Sequence, residues 1–94
     1  MRKFSDHHLK VFCCEHVFRH ERPVLYVCRA DGDWQFLCGQ ADHPETSDPM
    51  VVGVGHLVDD DPSLLEVSDL ATNYEAERQS KSDSWIKTEL RPSQ

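Results

Sequence analysis

The chain has 94 residues, enough for one hydrophobic core and too few for two. Hydrophobic residues make up 38% and charged residues 29%, and no apolar run approaches the roughly 20 residues of a membrane-spanning helix, so membrane insertion by a helix is excluded. Ten Lys and Arg against seventeen Asp and Glu give a net charge of -7, which repels phosphate backbones and anionic lipid and argues against nucleic-acid or membrane partners.

The first ten residues, MRKFSDHHLK, carry early positive charges with no apolar stretch behind them, so no export signal is read there and a cytoplasmic address is expected. Leu9, Val11 and Cys13 alternate with Lys10, Phe12 and Cys14, which predicts a strand over 9–14, followed by a bend or single helical turn at EHVF. VLYVCRA and DWQFLCG then flank Asp31-Gly32, the dipeptide expected in a two-residue type I′ turn, so residues 23–39 read as a β-hairpin. With Asp31 and Gly32 in the turn, Leu25 faces Cys38, Val27 faces Phe36 and Arg29 faces Trp34 on one side of the sheet. Tyr26 faces Leu37 and Cys28 faces Gln35 on the other. The first side is the expected core, with Arg29 over the Trp34 ring for a cation–π contact of about 0.5–1 kcal/mol.

A polar loop at 42–49 precedes MVVGVGHLV, residues 50–58, which is β-branched and apolar on both faces and reads as a buried strand with a bulge or close packing at its glycines. DDDP marks a helix start, with Asp61 as N-cap, Pro62 in the first helical position, and Asp59 and Asp60 at the positive end of the helix dipole. Leu64, Val67 and Leu70 give that helix an apolar face, and short strands are expected at Tyr74–Arg78 and Trp85–Leu90. The expected fold is α+β: a small, mainly antiparallel twisted sheet with the 23–39 hairpin and one or two short helices, in one domain over 1–94 with an ordered core at about 9–90.

Four cysteines and six histidines are the most unusual feature, and nine of these ten side chains precede residue 44. Cys13-x2-His16 and Cys38-x4-His43 offer two thiolates and two imidazoles at spacings that a closed tetrahedral zinc site accepts, each pair just past a strand, and Cys14 is an alternative to Cys13. Against zinc, the second pair departs from the C-x2-4-C knuckle pattern, and strong zinc motifs carry Gly or turn residues between their ligands. The competing reading makes the cysteines small core hydrophobes in a reducing compartment. Disulfides are disfavoured by the missing export signal, and Cys28 and Cys38 fall on opposite faces of the hairpin. A nucleophilic Cys14 or Cys38, activated by His16 or His43 and oriented by Asp42, is a third option, but no thiol-activating motif accompanies it. Gly53-Val-Gly55 lacks the third glycine of a dinucleotide fingerprint, and Asp59 to Asp61 lack the spaced oxygen ligands of a calcium loop.

The acidity is uneven, with a net charge of -1 over residues 1–47 and -6 over 48–94, which serves solubility or steers the chain toward a basic partner. The pattern VLYVCRADGDWQFLCGQAD, then VVGVGHLVDDDPSLLEV and YEAER, resembles a bacterial family of unknown function linked to immunity proteins of polymorphic toxin systems. Tyr26, Arg29, Asp33, Trp34, Phe36, Gly39, Asp61, Pro62, Glu77 and Arg78 carry the resemblance over residues 11–78. Asp33 directly before Trp34 and the abundant Cys and His depart from it. The resemblance implies a non-catalytic cytoplasmic protein that binds a protein partner, a basic toxin domain, through Trp34, Asp59, Asp60, Glu66 and the 42–49 loop, and it implies no cofactor. The alternative expectation is a small zinc-binding module using Cys13, His16, Cys38 and His43.

Overall fold

Strand β1 (Lys10–Cys13) forms where apolar and polar residues alternate, burying Val11 and Cys13 while Lys10 and Phe12 face outward. The computed structural model describes Phe4, residues 9–39 and residues 50–90. One helical turn, α1 (Glu15–Phe18), follows, and His20 at φ 60° lies just beyond its end. Strands β2 (Tyr26–Ala30) and β3 (Asp33–Leu37) make the expected hairpin in the expected register, from Tyr26 opposite Leu37 to Ala30 opposite Asp33. Asp31 and Gly32 hold φ values of 55° and 91°, the left-handed conformations that a type I′ turn requires.

The segment 50–58 departs from expectation. Only β4 (Met50–Gly53) is a strand; the chain then turns directly into helix α2 (Val54–Asp60), which buries Val54 and Leu57. A strand running straight into a helix puts apolar residues on both faces of the sequence, which mimics a fully buried strand. Asp59 and Asp60 consequently occupy the last turn of α2, at the negative end of its dipole, instead of preceding a helix. Asp61 does cap the next element, with its carboxylate accepting from the Ser63 N–H at 3.1 Å, and Pro62 stands at the first position. That element is a 3₁₀ helix (Pro62–Val67), shorter than the helix expected to reach Leu70. Strands β5 (Tyr74–Glu77) and β6 (Ile86–Glu89) complete the sheet where alternation predicts them.

The sheet order is β4-β1-β3-β2-β5-β6. All neighbours are antiparallel except β1 and β3, which run parallel with Cys13 opposite Phe36. The fold is thus α+β with a mostly antiparallel sheet, and among the described residues it holds two short α-helices and one 3₁₀ helix. One face carries Val11, Cys13, Val27, Trp34, Phe36 and Ala76; Val17, Val54, Leu57, Leu64 and Val67 from the helices, with Leu70 just beyond them, cover it. Each fully buried aliphatic or aromatic side chain contributes about 1.5–3 kcal/mol, which makes this layer the main stabilising element. Among the described residues no helix is long and apolar enough to cross a membrane.

Candidate metal centre

Parallel pairing of β1 and β3 brings the C-terminal ends of both strands to the same edge of the molecule. Cys13 is the last residue of β1 and points into the core, fully buried. The next residue, Cys14, is still extended (φ -82°, ψ 166°), packs partly buried against the edge of the core and precedes α1. The turn of α1 is closed by the Phe18 N–H donating to the Cys14 carbonyl at 2.9 Å, and it returns His16 toward the sheet. Cys38 lies one residue beyond β3, held by the hairpin, in which the Leu25 N–H donates to the Leu37 carbonyl at 3.0 Å.

The three side chains converge. The donor atoms of Cys14, His16 and Cys38 all lie within 4.8 Å of one another, and Cys38 Sγ is 3.8 Å from His16 Nδ1. Tetrahedral zinc, with bonds of about 2.3 Å to sulfur and about 2.0–2.1 Å to nitrogen, sets neighbouring ligand atoms about 3.5–3.8 Å apart. The group fits such an ion after small inward shifts. Arg22 Nη1 approaches Cys38 Sγ at 3.9 Å and supplies positive charge beside the sulfur. Cys38 also borders a cleft of about 330 Å³ lined by Leu25, Tyr26, Gly39, Glu77 and Arg78, which Cys14 and His16 do not line.

Burial raises the Cys14 thiol pKa, and contact with Cys38 adds to the rise. Backbone amides of Val17 and Cys38 oppose it without prevailing, and neither closes a regular capping bond at Cys14. Cys13 is pushed up to about 11 by burial and by its neighbour Cys14. A raised pKa favours the thiol over the thiolate, the form that both a nucleophile and a metal ligand need, unless a cation lies beside the sulfur. None of the four cysteines is in a disulfide. Cys28 is buried on the opposite side of the sheet, near Tyr26 and Glu75, where burial raises its thiol pKa as well.

Of the sequence-predicted metal ligands, His16 and Cys38 meet, Cys13 is replaced by Cys14, and His43 lies outside the described residues, as does the 42–49 loop. The expected partner-binding residues separate into two groups. Trp34 is not an exposed anchor: it is 7% exposed and packs against Phe4 and Phe36 with ring centroids 5.2 and 5.8 Å away. Arg29 covers it at 4.9 Å, as the hairpin register predicts. Asp59, Asp60 and Glu66 are exposed on the helical layer, with Asp60 3.3 Å from His20 Nδ1. Sequence reading assigned no role to Arg22 beside Cys38, because nothing local relates a loop arginine to a cysteine sixteen residues away. No family model, curated protein or solved structure matches the chain. The resemblance to immunity proteins therefore rests on the sequence pattern alone.

Proposed function

We propose that this protein is a small zinc-binding module in which Cys14, His16 and Cys38 hold the ion. The observation that carries the reading is the convergence of two sulfurs and one imidazole nitrogen within 4.8 Å at the shared end of β1 and β3. Thiolate and imidazole are the donor types that zinc prefers, and three of them leave one tetrahedral corner for a further donor. The ion would act as a staple. The single turn of α1 is too short to be stable by itself, and the metal ties that turn to the neighbouring hairpin.

A competition titration with a chelating dye tests this. Wild-type protein is expected to take up one equivalent of zinc. Cys14→Ser and Cys38→Ser are expected to weaken binding by more than the roughly 10–100-fold that loss of an outer hydrogen bond costs, while Cys28→Ser leaves it unchanged. Equal zinc affinity in all four proteins would remove the reading.

The exposure of Asp59, Asp60 and Glu66 favours a second reading, capture of a basic protein partner by the helical layer. Alanine at these three positions is then expected to slow association with that partner at low salt and to have little effect at high salt. An association rate that does not change on substitution counts against it.

A further inference from the structure

Strand β6 is an edge strand whose four residues, Ile86 to Glu89, are all exposed. Edge strands present unpaired backbone groups that can template another strand, and here the phase of those groups is fixed. The Leu90 N–H donates to the Asn73 carbonyl at 2.8 Å, at the end of a ladder in which Thr88 faces Glu75 and Ile86 faces Glu77. Hydrogen-bonding direction alternates along an antiparallel strand, so Ile86, Thr88 and Leu90 aim their backbone groups at β5, and Lys87 and Glu89 aim theirs at the open edge.

A second copy adding antiparallel must match outward-facing residues with outward-facing residues. Three two-fold registers do so near the middle of the strand, centred on Lys87, Thr88 or Glu89. The first sets Lys87 against its own copy, and the third sets Glu89 against its own copy. Only the register centred on Thr88 places Lys87 opposite Glu89 of the second copy, and it does so twice by symmetry. The same register sets Ile86, 63% exposed on the uncovered face of the sheet, opposite Leu90 of the second copy. We infer that β6 is a self-association edge, joining two copies about Thr88 into one continuous sheet through main-chain bonds at Lys87 and Glu89.

The other edge is less suited. At β4 the Val54 N–H donates to the Leu9 carbonyl at 2.7 Å, which leaves Val51 and Gly53 facing outward, with no charge to set a register and α2 beginning at the next residue.

A strand edge buries less than the about 1,200 Å² of a standard interface, so the dimer is weak and is sought at about 0.1–1 mM protein. In sedimentation equilibrium the average mass is expected to rise from 10.8 kDa toward twice that value over this range. Lys87→Glu and Glu89→Lys should each stay monomeric, because like charges then face each other. Mixing the two variants should restore association, as should the double variant Lys87→Glu/Glu89→Lys. Recovery on mixing separates a lost interface from a damaged fold, since Lys87 also pairs with Asp69 at 2.7 Å within its own chain. A wild type that stays monomeric throughout, a dimer that persists in both single variants, or a mixture that fails to recover would each overturn the inference.

Discussion

Arg78 Nη2 donates to Asp61 Oδ2 at 2.8 Å with both side chains buried, and this contact ties the start of the 3₁₀ helix to the end of β5. The guanidinium is fully used: Nε and Nη2 reach the Val24 carbonyl at 3.1 and 2.9 Å, and Nη1 reaches Ser63 Oγ and the Lys81 carbonyl at 2.7 and 3.0 Å. The Trp85 ring covers it at 4.1 Å. Removing one partner strands the other charge without water, at a cost of about 3–5 kcal/mol. Asp61→Ala is expected to lose that much in urea denaturation, with loss of the cap at Ser63 included. Asp61→Ala combined with Arg78→Met should cost less than the sum of the two single changes. A loss below about 1 kcal/mol for Asp61→Ala would contradict this account.

The same carboxylate gives a pH dependence. Burial pushes the Asp61 pKa up, but hydrogen bonds from Ser63 and Arg78, with the Arg78 charge, outweigh it and hold the group below its ordinary value. A lowered folded-state pKa means that its stabilisation is complete above the unfolded carboxyl value of about 3.9 and is lost as pH falls through the folded-state value. Wild-type urea midpoints should therefore fall more steeply than those of Asp61→Asn between about pH 4.5 and pH 3. Parallel slopes in the two proteins would place the acid sensitivity elsewhere.

At the hairpin turn, Gly32 holds φ 91° in open space and Asp31 holds φ 55°, with the Asp31 N–H donating to Asn73 Oδ1 at 2.9 Å. Gly32→Ala should destabilise by about 1 kcal/mol through backbone conformation alone, since no neighbour obstructs a methyl group. Asp31→Gly should be nearly neutral or slightly stabilising. Thermal melts of the two variants check the contrast, and an equal loss in both would show that the turn conformation is not what matters.

Trp34 gives a test of core against interface. Its burial against Phe4 and Phe36 makes Trp34→Ala a core truncation, expected to cost about 3–5 kcal/mol, whereas Arg29→Gln removes the cation–π contact, about 0.5–1 kcal/mol, and the hydrogen bond that Arg29 Nη1 donates to the Leu70 carbonyl at 2.8 Å, and should cost less. Denaturation curves that show no difference between the two would remove Trp34 from the core.

The hairpin was legible because its information is local: Asp31-Gly32 fixes the turn, and the turn fixes every pair from Tyr26 with Leu37 onward. Helix α2 was not, because 51–58 is mostly apolar without a single period, and its N-cap, Gly53, has no side chain to mark the helix start. The candidate metal centre was half legible. Its residue types and two of its three members follow from composition and spacing. The choice of Cys14 over Cys13 depends on where β1 ends: Cys13 is its last residue and is fully buried, whereas Cys14 opens α1 beside Cys38. The parallel β1–β3 contact that brings Cys14 to Cys38 joins residues more than twenty positions apart, and no local pattern announces it.

The most direct test of the zinc centre is native mass spectrometry of untagged protein purified without chelator. One zinc per chain is expected in the wild type, with the ion lost and the melting temperature lowered in both Cys14→Ser and Cys38→Ser. Folded wild-type protein that carries no metal, and whose melting temperature is unmoved by added zinc, would contradict the account and return Cys14, His16 and Cys38 to the role of hydrogen-bonded packing at the end of the sheet.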